Sequence, residues 1–147
     1  MSLPYENATS GDKALAEIQK VLQRFGCSRF GVMQDWAGAK LAIQFEWRDR
    51  QIHIEASSRG YAEAYLREHP WSSRMKRTKR EHEEHAMHQA SISVYSCLRD
   101  WIRGQLTAVE TGLLSFEAAF LSHMLLPDGR PVIDHVHDKL LPAPDDE

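Results

Sequence analysis

From Phe30 to Ile54 the apolar residues fall on alternate positions, and this alternation restricts the fold more than any other feature of the chain. Leu41, Ile43, Phe45 and Trp47 keep it over four repeats, and Ile52 and Ile54 resume it after the polar break RDRQ. A period of two sends successive side chains to opposite faces of a strand. The spacing predicts three antiparallel strands near 28–35, 40–48 and 51–57, turning at WAGAK and RDRQ. Their polar face would show Gln44, Glu46, Arg48, Gln51, His53 and Glu55. Those mixed signs exclude a basic platform, and the apolar reverse face needs a cover.

Helices supply the cover. Leu15, Ile18, Val21, Leu22 and Phe25 recur every three or four residues, giving one stripe that Thr9 or Ser10 can cap and Gly26 can end. GYAEAYLREH reads as a short helix stopped by Pro70. From about 80 to 111 the helical spacing returns through Met87, Ala90, Val94, Leu98, Trp101, Ile102 and Val109, and Gly112 stops it. A final helix capped by Ser115 is expected to carry Phe116, Ala119, Phe120, Met124 and Leu125, ahead of a turn at LPDGRPV.

The expected architecture is one α+β domain over residues 1–141: an N-terminal helix, a three-stranded antiparallel meander, then a short, a long and a final helix (α-β-β-β-α-α-α). Residues 142–147 read as a disordered acidic tail. A helix of about thirty residues is ~45 Å long, against a radius of gyration near 15 Å for a compact chain of this size. Its polar first turns are therefore expected to protrude, and Met87, Val94 and Leu98 make it the expected surface of a homodimer.

At 147 residues with 42% hydrophobic and 27% charged residues, the chain can build a core without disulfides or metals. A net charge of −3 gives no global attraction to nucleic acid or an anionic membrane, so any such contact must be local. No apolar run approaches the ~20 residues of a membrane span. MSLPYENATS shows no signal-peptide core, and Cys27 and Cys97 read as reduced thiols, so the expected location is a cytoplasm.

The densest charge lies in RMKRTKR, where Arg74, Lys76, Arg77, Lys79 and Arg80 are candidate phosphate contacts, with Arg103 a further one. Tyr65 and Trp71, with Tyr61, are candidates to stack on exposed bases. The opposing reading is a solvated linker whose charge is offset by Glu81, Glu83 and Glu84.

His82, His85 and His88 share a helix face and are candidate metal ligands, but HEEHA lacks the H-E-x-x-H spacing and three residues along one helix are too spread to close a tetrahedral site. The competing reading is a polar helix face. His135 and His137 in DHVHD would lie on one side of an extended segment as remote ligands. No nucleophile elbow, glycine-rich phosphate loop or Cys–His arrangement is present, which argues against an enzyme and implies no cofactor.

The stretch LRDWIRGQLTAVETGLLSFEAAFLSHMLLPDGRPV, with YENATSGDKALAEIQKVLQRFGCSRF nearer the start, resembles an uncharacterised family of small bacteriophage- and prophage-encoded proteins. The resemblance covers 5–57 and 86–132 and is most specific at AVETGLLSFEAAFL and LPDGRPV. The chain departs from it at Arg103 and Gln105, where the family commonly has lysines, and at Glu117, Ala118 and Ala119, where it is more acidic. The segment 60–85 matches least. The resemblance implies a phage gene product acting in the bacterial cytoplasm and supplies no catalytic residues.

The resulting expectation is a non-enzymatic phage accessory protein associating with nucleic acid or a replication–recombination complex. The alternative is a small phage inhibitor that docks on a bacterial defence or other host protein, in the manner of an anti-CRISPR.

Overall fold

A computed structural model describes residues 2 to 139, so the expected tail lies outside the described residues. Ser10 opens α1 (Gly11–Phe25) by accepting a hydrogen bond from the Lys13 amide. Gly26 closes it at φ +106°, a left-handed conformation that other residues adopt only with strain. The chain then forms β1 (Arg29–Asp35), β2 (Lys40–Trp47) and β3 (Arg50–Ser57), an antiparallel sheet in the order β1-β2-β3. Phe30, Phe45 and Ile52 lie in register across it, as do Val32, Ile43 and Ile54. The alternating residues are therefore ladder neighbours on one face.

That face is the floor of the core. Leu41, Ile43, Phe45, Ile52 and Ile54 are buried against Ile18 and Leu22 of α1, joined by Ile102 and Leu106 of α3 (Lys79–Glu110) and Phe116 and Phe120 of α4 (Phe116–Phe120). Each fully buried aliphatic or phenyl side chain stabilises the fold by about 1.5–3 kcal/mol relative to exposure. Phe120 meets Phe45 and Trp101 edge-on, with ring centroids 5.6 and 5.9 Å apart. Val94 and Leu98 also pack on this core, so two of the three residues expected to make a helix-mediated dimer are used within the chain.

The short helix α2 (Arg59–Glu68) lies along the start of α3. Ala62, Ala86 and Ala90 form a second small core beneath Tyr61, Tyr65 and Leu66. One face of the first turns of the long helix is therefore covered by α2, while Lys79, Arg80, Glu81, Glu83 and Glu84 stay exposed as expected. His82, expected on a polar face, is 1% exposed.

The end of the chain also differs from expectation. The helix after Ser115 stops at Phe120 and tightens into a 3₁₀ turn at Leu121–His123. Met124 and Leu125 are extended instead: Met124 bridges to Ile52, and the Leu125 amide donates to the Gln51 carbonyl, 2.9 Å away. Added to the expected order is a fifth helix, α5 (Val132–Lys139). His135 and His137 lie on this helix, where residues two apart point to different sides, so they do not form the pair an extended segment would.

Candidate nucleic-acid interface

The basic residues occupy the connection between α2 and α3, and short-range bonds fix its shape. Pro70 prevents α2 from continuing. The Met75 amide donates to the Ser72 carbonyl at 3.0 Å, making a turn, and the Trp71 indole N–H donates to the Arg77 carbonyl at 2.9 Å, tying the two ends of the loop together. Thr78 then caps α3, its hydroxyl accepting from the Glu81 amide at 3.1 Å. This is half of the reciprocal arrangement that the sequence T-x-x-E permits.

Arg74, Lys76, Lys79 and Arg80 are exposed and Arg77 is half-buried. Arg80 is neutralised by Glu84, one turn on, with Nε 3.3 Å from Oε1. Among the described residues Arg74, Lys76, Arg77 and Lys79 make no ion pair. Lys79 also sits in the first turn of a long helix, where the backbone dipole already presents positive potential and unsatisfied N–H groups. Four cations and a helix start thus share one short, hydrogen-bonded segment.

The aromatic candidates divide. Trp71 is 38% exposed, and because its N–H is used within the loop, what it leaves to solvent is apolar ring surface. Tyr65 is engaged by histidines: its ring centroid lies 4.7 Å from His69, 6.5 Å from His82 and 5.8 Å from His85. It packs between α2 and α3 and is not free to stack on a base. Tyr61 is tied down as well, donating its hydroxyl proton to the Pro4 carbonyl.

The three candidate metal ligands have separate environments. His82 donates from Nε2 to the His69 carbonyl at 2.6 Å. The pKa of His85 is lowered, first by burial and then by the charge of Arg77 beside it. His88 is exposed. Among the described residues no three histidine, cysteine or carboxylate side chains are grouped to hold a metal ion. Arg103 is remote from the loop: it lies about 35 Å further along α3, and its guanidinium is 3.1 Å from Glu17, which also pairs with Arg99 at 3.3 Å.

Pattern reading missed the N-terminal strap that holds this region together. Residues 3–8 run across α2 and α3 as an irregular segment, anchored mainly through backbone carbonyls. Ser93 donates to the Tyr5 carbonyl at 2.8 Å and Gln89 to the Ala8 carbonyl at 3.0 Å. The Tyr5 hydroxyl donates to Asp100 at 2.8 Å, while Glu6 lies 2.7 Å from His69. The Glu6 carboxyl is held below the usual range chiefly by the His69 hydrogen bond.

A concavity of about 560 Å³ between the start of α1, the β1–β2 hairpin and the middle of α3 is the main competitor as a binding site. Its polar groups are largely satisfied by one another: Gln34 donates to the Tyr95 hydroxyl and accepts from the Trp36 indole at 2.9 Å. The cationic loop differs in that four of its five cations make no ion pair among the described residues. Among the described residues no helix is long and apolar enough to cross a membrane. The chain matches no protein-family model, no curated protein and no solved structure.

Proposed function

We propose that this chain is a non-enzymatic, nucleic-acid-associated accessory protein of the bacteriophage or prophage kind its sequence resembles, and that residues 71–80 are its phosphate-gripping surface. The observation carrying this reading is the set of four cations, Arg74, Lys76, Arg77 and Lys79, without internal carboxylate partners on a loop pinned by the Trp71–Arg77 hydrogen bond. Uncompensated cations on a fixed loop gain free energy by displacing condensed counterions from a phosphate backbone. The exposed ring of Trp71 adds a sequence-tolerant stacking surface. With an overall charge of −3, attraction is confined to this patch. Binding is accordingly of the non-specific class, with Kd on the order of 10⁻⁴–10⁻⁶ M at physiological salt.

Fluorescence-polarisation titration with single- and double-stranded oligonucleotides at several salt concentrations tests it. Alanine at the four unpaired positions should abolish binding and remove a salt slope of roughly three to four for duplex DNA. Arg103→Ala should leave affinity unchanged, because that side chain is already paired with Glu17. Absence of wild-type binding at low salt overturns the reading and directs the search to an acidic protein surface.

A further inference from the structure

The two edges of the sheet are treated differently. On the β3 side, Met124 and Leu125 bond to the strand and close part of it. On the β1 side, among the described residues, no backbone–backbone hydrogen bond reaches residues 29–35 from outside β2, and the Gly38 amide donates only to the Asp35 side chain. Edge strands are usually protected by proline, a central lysine, a bulge or an inward-pointing charge. β1, RFGVMQD, has none of these: its pairing with β2 is unbroken over seven residues, and its charges stand only at its two ends.

We propose that β1 is a self-complementary edge through which two copies of this chain pair antiparallel about a twofold axis at Val32, forming one six-stranded sheet. The sequence of the strand specifies this register. Full overlap of two antiparallel copies sets Arg29 opposite Asp35, Gly31 opposite Met33 and Val32 opposite itself. The end charges are then opposite in sign at both ends of the ladder, a favourable cross-strand pairing. Arg29 has the freedom to serve it, its side chain being 79% exposed with a loose 3.7 Å approach to Glu46.

Met33 and Gly31 lie on the outer face of the sheet, and there they are complementary in shape. Met33 is 74% exposed, a large apolar side chain that its own chain leaves mostly uncovered. At Gly31 an added Cβ would meet nothing within 4 Å, leaving an open shelf. In the paired sheet each Met33 lies over the Gly31 shelf of the second copy. The indole of Trp36, 87% exposed just past the strand end, falls opposite residue 28 of the second copy and extends the contact. Phe30 and Val32, on the inner face, pack on the core and hold the strand in place.

One seven-residue ladder with two exposed side chains from each copy is at the small end of specific interfaces, so the association is weak and concentration-dependent. Sedimentation velocity and light scattering on the full chain between roughly 1 and 200 μM read it directly, a range suited to an interface of that size. The mass should move from the 16.9 kDa of one chain towards twice that value. Met33→Lys places like charges diagonally across the axis and should weaken dimerisation by at least about tenfold, with far-UV circular dichroism unchanged. Arg29→Asp, which sets two carboxylates opposite each other, is the second variant should Met33→Lys not fold. Met87→Glu, on the long helix, should leave the dimer intact. A wild type that remains monomeric throughout, a dimer insensitive to the β1 variant, or one broken by Met87→Glu overturns the proposal.

Discussion

His82 Nε2 lies 2.6 Å from the carbonyl oxygen of His69, thirteen residues earlier. Only Nε2 can carry the proton there, because a carbonyl oxygen only accepts. This bond joins the end of α2 to the first turns of α3 across the base of the cationic loop, with the imidazole 1% exposed. His82→Ala removes a packed ring and leaves the carbonyl without that donor. The expected cost is about 2–4 kcal/mol in urea unfolding. His88→Ala, six residues on and exposed, should stay within about 0.5 kcal/mol of wild type.

Glu6 and His69 make the strap sensitive to acid. The carboxyl of Glu6 has its pKa lowered from the ordinary 4.5, first by its hydrogen bond to His69. Because the folded value is the lower one, the unfolded chain binds the proton more readily, and stability falls as pH drops through 4.5 and below. Asp100 acts with the same sign, depressed chiefly by its hydrogen bond to Arg99 and further by Tyr5. Glu6→Gln should have a flatter dependence of thermal midpoint on pH below about 5 than wild type. A midpoint that falls equally steeply in the variant would exclude this pair as a contributor.

Much of this architecture is readable in the sequence, and the parts that are not share a physical cause. The meander and α1 declare themselves through large apolar residues at fixed periods, since Ile43, Phe45, Ile18 and Leu22 must all reach one core. The α2–α3 contact is built from Ala62, Ala86 and Ala90, whose small side chains allow close approach but give little periodic signal. That is why the helical spacing places His82 on a polar face, where the structure has a buried donor. The strap escapes pattern reading because it is held largely by its backbone carbonyls, which every residue has. Met124 and Leu125 sit at helical spacing from Phe120, yet the 3₁₀ turn redirects them to the sheet edge. The basic cluster was visible as composition. That Arg80 is paired and its four neighbours are not depends on geometry.

The β2–β3 turn contains avoidable strain. Arg48 and Asp49 both adopt positive φ, at 47° and 63°, as a two-residue hairpin whose twist suits the strands requires. Arg48 is disfavoured in that conformation and Asp49 is tolerated there less well than glycine would be, while Arg48 is partly compensated by lying 4.5 Å over the Trp47 ring. Asp49→Gly keeps the arginine–tryptophan contact and removes one strained residue. Urea unfolding should show a gain of about 0.5–1 kcal/mol. A loss would mean that the Asp49 side chain contributes more than its backbone costs.

The two cysteines should differ sharply in reactivity. Burial pushes the Cys27 thiol up to about 11, where it packs beside the core at the end of α1. Cys97 is exposed on α3. Thiolate is the reactive species, so near neutral pH a disulfide reagent such as Ellman's should consume Cys97 quickly and Cys27 only on unfolding. The same shift carries a stability consequence. A thiol whose folded pKa exceeds its unfolded value of 9.0 contributes fully below that pH, and the contribution is lost as pH climbs towards 11. Cys27→Ser should therefore lessen the alkaline fall in thermal midpoint. Rapid labelling of both thiols in the native chain would contradict the burial of Cys27.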